Sequence, residues 1–210
     1  RGRSKGGWNA VGDLYTDPPE STEQVIDPRK YRIQPPKEVM IGDRSSGEWT
    51  RVHPPGNAPG YESVGQLGIT AMFVYPAYDD RDSRVVVPRR KFLNVEDGTV
   101  DGTDPYNYDI PPADGWDGDR MYVYANESGE TGYVWRLAWD SEEDAREFAR
   151  AYRRLLGYWG GDRRNGMWHI PDSESPFGDA FTVRVDGSTV TIVNGPTAAD
   201  LGDIHAPAGG

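Results

Sequence analysis

The sequence predicts an α+β fold: an antiparallel sheet packed by one amphipathic helix, in the order β-β-α-β-β, preceded by a helical and extended, loop-rich N-terminal half. Three observations carry this. Residues 181–193, FTVRVDGSTVTIV, are two alternating runs broken by Asp186-Gly187, and a two-residue Asp-Gly turn of type I′ matches the twist of flanking strands. Residues 121–125 and 133–139 form a second pair of alternating runs around the polar turn NESGET. Between the pairs, Ala145, Phe148, Ala149, Tyr152, Leu155 and Leu156 recur at helical spacing. Strand pairs interrupted by one helix favour an antiparallel sheet with the helix on its face.

From the N-terminus, residues 7–16 predict a short helix with Trp8, Val11, Leu14 and Tyr15 on one face, ended by Asp17-Pro18-Pro19. Ser21 opens a second short helix, with Gln24 reaching back in a capping box and Asp27-Pro28 closing it. Residues 29–60 are dense in proline and glycine and read as extended wrapping chain, with at most one short strand near 48–52. Residues 62–75, carrying Val64, Leu67, Met72 and Val74, predict a buried helix that Pro76 ends. Residues 79–118 are loop-like and acidic, punctuated by Asp-Gly, Asp-Pro and Pro-Pro.

The patterned block comes next. Ser141 caps its helix, with Asp144 completing a capping box, and Glu142 and Arg146 sit four apart on the wet face. A short strand is expected near 167–170. The chain therefore divides into three parts. A helical and extended segment, 1–112, packs on a sheet-and-helix domain, 113–204. A tail, 205–210, ends the chain, and His205 within it is expected to fray.

Charge narrows the function classes. There are 34 acidic residues against 23 basic ones, for a net charge of -11. Only Lys5, Lys30, Lys37 and Lys91 are lysines; the other 19 basic residues are arginines. This bias is expected of a protein that works in molar salt; the alternative is a merely acidic protein from an ordinary-salt organism. Carboxylates hold water and cations at the surface, whereas lysine stems add apolar area that salting-out ions penalise. The sign argues against nucleic acid, whose phosphates require a basic patch. No apolar run is long enough to span a bilayer. There is no cysteine, so neither a disulfide framework nor thiolate chemistry is available. The chain opens on Arg1 without a signal peptide, and is expected to be a fragment or a processed product.

Motifs for catalysis are lacking. The histidines, His53, His169 and His205, are far apart in sequence, and no HExxH, GxGxxG or GxxxxGK[ST] occurs. Carboxylates are everywhere, so none stands out as a general acid or base. Two local features remain. The stretch NVEDGTVDGTDPYNYD, residues 94–109, places Asp97, Asp101 and Asp104 in a glycine-rich loop, a donor set suited to Ca2+ or another hard cation; the alternative is a solvated acidic turn. Asn126-Glu127-Ser128 is an N-glycosylation sequon in the expected hairpin turn. Trp116, Trp135, Trp139, Trp159 and Trp168 suit either a sugar-binding platform or a core, and the alternation of Tyr133, Trp135 and Leu137 favours the core.

Five segments carry a resemblance that covers nearly the whole chain: GGWNAVGDLYTDPPESTEQVIDPRKY, GYESVGQLGITAMF, PPADGWDGDRMYVYANE, TGYVWRLAWDSEEDAREFARAY and FGDAFTVRVDGSTVTIVNGPT. In this order they resemble the C-terminal portion of a haloarchaeal surface-protein family related to HExxH zinc metallopeptidases. In that family the HExxH helix and the helix with the acidic zinc ligand precede the GGW segment. The resemblance thus carries over no catalytic residue and assigns zinc only to an upstream part. It implies an extracellular or cell-surface location, a first helix packed on the upstream peptidase-like part, and contact with cell-surface components. The expected function is a non-catalytic C-terminal region with a structural or interaction role. The alternative is a proteolytically released, secreted binding or effector module, antimicrobial or glycan-binding. An autonomous hydrolase using carboxylates lacks any supporting motif.

Overall fold

The computed structural model describes residues 8, 12–79, 85–172 and 178–207. Residues 12–16 are helical; Val11, expected on the same face, lies outside the described residues. Five labelled helices come after them: α1 (Thr22–Ile26), α2 (Gly65–Val74), α3 (Arg89–Phe92), α4 (Glu142–Tyr158) and α5 (Asp200–Ile204). The strands are β1 (Thr50–Arg51), β2 (Val95–Glu96), β3 (Thr99–Val100), β4 (Trp116–Ala125), β5 (Thr131–Trp139), β6 (Asp162–Arg164), β7 (Met167–Ile170), β8 (Asp179–Asp186) and β9 (Thr189–Gly195). Seven of them form one sheet in the order β1-β4-β5-β9-β8-β7-β6, with every pairing antiparallel. The fold is α+β. Among the described residues no helix is long and apolar enough to cross a membrane.

The long helix α4 forms where its signals lie. Ser141 Oγ accepts from the Asp144 N–H at 3.2 Å, and Glu142, Glu143 and Asp144 fill the first turn, where the helix dipole favours negative charge. The expected reciprocal box is absent, because the Asp144 carboxylate takes the Ser141 hydroxyl at 2.6 Å instead. The helix stops at Gly160 (φ 86°) and Gly161, whose N–H groups donate to Gly157 and Leu156 carbonyls in a Schellman motif. Its buried face includes all six apolar positions expected of it, and Glu142 and Arg146 pair at 2.6 Å on the outer face.

That face meets the inward residues of β5, β8 and β9, and α2 packs on β4 and α4. Phe148 is the hub: its ring lies 4.9 Å from Trp139, 5.9 Å from Trp135, 5.8 Å from Phe73 and 5.7 Å from Tyr152. Burial of such rings supplies much of the stabilisation here. Trp116, Trp135, Trp139 and Trp159 are buried, and Trp168 packs partly buried against the same cluster.

The opposite face of the sheet carries a second, smaller core, in which Tyr124, Val134, Ala180 and Val193 meet Leu201 and Ile204 of α5 and Ile41 and Trp49 of the extended chain. A Cβ on Gly132 or Gly195 would fall 2.6 or 2.5 Å from the Ile204 Cδ1. The two glycines let α5 lie directly on the strands. The extended chain before β1 is thus a structural layer, since Val39, Ile41 and Trp49 are all buried.

Three expectations are corrected. His205 is not a frayed end: it is 5% exposed and lies directly after α5. The last hairpin turns one residue later than expected, because Asp186 pairs with Thr189 and Gly187-Ser188 make the turn. Gly187 has φ 55° and Ser188 is not left-handed, the glycine-first arrangement of a type II′ turn. Finally, 79–118 is not simply loop; it includes α3 and the hairpin β2-β3.

Candidate functional site

The acidic loop is a hairpin. Glu96 pairs with Thr99, and Asp97 (φ 50°) and Gly98 (φ 78°) form its two-residue turn. The Asp101 carboxylate accepts from the backbone N–H groups of Thr103 at 2.7 Å and Asp104 at 3.2 Å, and those bonds hold its pKa below the usual carboxylate value. The Asp104 carbonyl takes the side chain of Asn94. The three carboxylates do not converge, and among the described residues no group of three or more His, Cys, Asp or Glu could hold a metal ion. Asp97 and Asp101, proposed for a Ca2+ loop, serve as local turn formers.

Asn126 lies in the β4-β5 turn as expected. Its Oδ1 accepts from the Glu130 N–H at 2.9 Å and its Nδ2 donates to the Glu130 carboxylate at 2.7 Å. His53 and His169 are exposed, whereas His205 is buried.

The most heavily bonded carboxylate is Asp119 on β4, only 5% exposed. Its Oδ1 accepts from Ser63 Oγ (3.0 Å), Gly65 N (2.9 Å) and Trp116 Nε1 (3.2 Å); its Oδ2 accepts from Val64 N (2.8 Å) and Trp135 Nε1 (2.8 Å). It therefore satisfies free N–H groups at the start of α2 and two indoles of the core. With every lone pair committed, it is a structural anchor.

A second polar knot ties the N-terminal segment to the β5-α4 turn. Lys30 Nζ lies 2.6 Å from Glu23 Oε1 and 3.2 Å from Asp140 Oδ2, while Gln34 Nε2 donates to Asp140 Oδ1 at 2.9 Å. Burial raises the pKa of Glu23, and Lys30 opposes that rise.

The remaining site is basic. On the face of the sheet that bears α5, Arg136 of β5, Thr191 of β9 and Arg184 of β8 form one cross-strand row. Arg136 donates to Thr191 Oγ1 at 3.2 Å and to the Met40 carbonyl at 2.8 Å. Arg44 Nη2 lies 2.9 Å from His205 Nε2. An arginine only donates, so Nε2 is the acceptor and the hydrogen resides on Nδ1. Among the described residues, that buried Nδ1 has no hydrogen-bond partner. Burial, then the charges of Arg44, Arg136, Arg51 and Arg184, press the His205 pKa down to about 4. Beside the ring opens a pocket of about 460 Å³ lined by His205, Arg184, Thr182 and Gly202, among others.

Sequence reasoning named none of Asp119, Arg136 or Arg184 and misplaced His205. An Asp just after a Gly-rich turn, and an arginine alternating into a strand, resemble ordinary solvated residues until the partners from other elements are in place.

The sheet, its aromatic helix face and the opposite face roofed by α5 define an α+β domain. The chain belongs to the family described as a domain of unknown function, DUF8575, whose pattern matches residues 50–205. That span includes the seven-stranded sheet, α4, α5 and His205. No curated protein and no solved structure matches the chain.

Proposed function

We propose that this chain is a non-catalytic interaction region of a secreted or surface-anchored haloarchaeal protein related to zinc metallopeptidases. It docks on the peptidase-like part through its N-terminal helix. The supporting observation is the apolar exposure there: Trp8 is 69%, Leu14 37% and Tyr15 85% exposed. Large apolar groups in water disfavour the isolated state and favour a partner surface. The five sequence segments that carry the family resemblance support the choice of partner, and the lysine-poor, acidic composition supports the saline setting.

The test uses the full coding product. A photo-crosslinking residue at position 15 is expected to capture the peptidase-like part, and Trp8→Ser with Tyr15→Ser to loosen the contact. Absence of any crosslink overturns the docking. The chain alone, given zinc and a broad peptide substrate in molar salt, is expected to be inert; EDTA-sensitive cleavage would overturn the non-catalytic reading.

A second reading, a glycan-binding module, is favoured by one cluster. Phe92 stacks on Tyr106 at 5.2 Å and meets Tyr78 at 6.5 Å edge-on, with Tyr78 and Tyr106 both well exposed. Titration with oligosaccharides, followed by tyrosine fluorescence and Tyr106→Ala, distinguishes it from docking.

A further inference from the structure

Several arginines of this protein are neutralised in pairs. Arg29 meets Asp27, Arg32 meets Asp17, Arg120 meets Glu38, Arg146 meets Glu142, Arg150 meets Glu143 and Arg164 meets Asp162. With 34 acidic side chains for 23 basic ones, that is what statistics and Coulomb attraction favour. Arg44, Arg136 and Arg184 are not among these pairs. They come from three distant parts of the sequence, they gather on one face around His205, and among the described residues none of them forms an ion pair with a carboxylate.

The carboxylates nearby are engaged elsewhere. Asp200 accepts from Thr197 and from the Trp49 indole, Asp203 from Ser46, and Asp43 from Ser45, with Arg51 at 3.9 Å. Arg51 itself is committed to the Tyr124 hydroxyl and the Ile41 carbonyl. Asp186, at the end of the β8-β9 hairpin, is the carboxylate whose field reaches Arg136.

The geometry points to a binding site for a small oxyanion-bearing ligand in the pocket between His205 and Arg184, with Arg44 and Arg136 supplying the surrounding positive field. Guanidinium groups suit this chemistry because their planar forks match phosphate and carboxylate oxygens and resist deprotonation. Arg184 is exposed and lines the pocket, and its side chain makes no hydrogen bond to another described residue. Thr182, on the same face of β8, adds a hydroxyl to the wall of the pocket. The pocket's volume of about 460 Å³ is within the range of small-molecule sites. The neutral, buried ring of His205 holds Arg44 in place through Nε2 without adding a competing charge. This inference is independent of the docking surface at the N-terminal helix.

The experiment titrates the intact chain with inorganic phosphate and, separately, with citrate, each replacing potassium chloride at constant ionic strength. Signals of the His205 ring and of the Arg44, Arg136 and Arg184 Nε–H groups are followed by NMR. Saturable shifts confined to these residues are expected, with the stronger of the two anions telling a phosphate ligand from a carboxylate one. Arg184→Gln is expected to weaken binding by roughly tenfold, the cost of about one charged hydrogen bond. Because the Arg184 side chain is exposed and makes no hydrogen bond to another described residue, the melting temperature of that variant should stay unchanged. Arg44→Gln, as a second variant, should weaken binding without moving the site. Linear, unsaturated shifts spread over the surface, or equal affinity in Arg184→Gln, would overturn the site.

Discussion

The Trp135 indole donates to the carboxylate of Asp119 at 2.8 Å inside the core, and the same carboxylate accepts from the Val64 and Gly65 N–H groups that begin α2. One side chain thus couples the centre of the sheet to a helix formed more than fifty residues earlier. Asp119→Asn replaces one acceptor oxygen by a donor that faces other donors. A loss of about 3 kcal/mol is expected, the scale for hydrogen bonds to a charged group left unmade, read as a lower denaturation midpoint with the slope unchanged. A change under roughly 1 kcal/mol would show that the carboxylate is not the anchor.

Close approach of α5 gives a second prediction. Gly195→Ala places a methyl 2.5 Å from Ile204 Cδ1, and overpacking of this kind costs about 1–3 kcal/mol. Ile204→Val, which trims the clashing carbon, should recover part of that loss in the double variant. If the two changes simply add, the contact between α5 and the strands is looser than the geometry requires.

Acid should weaken the fold through His205. The unfolded imidazole takes up a proton near its ordinary 6.5, whereas the folded one does so only near 4. Between those values the unfolded state binds more protons, so stability is full above about pH 6.5 and falls as pH drops toward 4. At most about 3 kcal/mol is at stake. Urea midpoints at pH 7.5 and pH 4.5 measure it, and His205→Gln should flatten the difference by a corresponding amount. An unchanged difference in that variant would assign the acid sensitivity to the carboxylates instead.

Salt should stabilise beyond screening. At a net charge of -11, self-repulsion is relieved by modest salt, since the Debye length is already about 3 Å at 1 M. If the acidic surface works by holding hydrated cations, the melting temperature should keep rising between 1 and 3 M potassium chloride (concentrations set by the roughly molar regime in which screening is exhausted). A plateau below 1 M would leave only ordinary repulsion.

Calcium should have no effect beyond ionic strength. Asp97 and Asp101 are turn residues whose carboxylates do not meet Asp104 around a common point. A thermal-shift titration against matched sodium chloride checks this, and a saturable calcium-specific shift would restore the loop as a site.

The legible part of the sequence was local. The start and face of α4 could be read because its cap and its apolar positions lie in one continuous stretch, and β5, β8 and β9 because each alternates. The hairpin β6-β7 was not read, although Asn165 (φ 50°) and Gly166 (φ 83°) make a type I′ turn from the dipeptide most suited to it. Its strand Asp162–Arg164 is charged and exposed, so no alternation flagged it. The same holds for Asp97-Gly98 between the two exposed strands β2 and β3. The candidate site was least legible. Arg44 and His205 are 161 residues apart, and Arg136 and Arg184 join them only because β5, β9 and β8 pair in register. Nothing in a strand's own pattern distinguishes an arginine aimed at water from one aimed at a shared pocket.

The two borders of the large sheet have a consequence for crowding. β1 contributes only two residues, and β6 ends the other side with Asp162, Arg163 and Arg164, all exposed. A border so brief, or so densely ionic, is a poor template for another chain's backbone. Many copies held side by side can therefore remain separate molecules: neither margin invites the strand-by-strand growth that turns neighbouring β-rich proteins into fibrils.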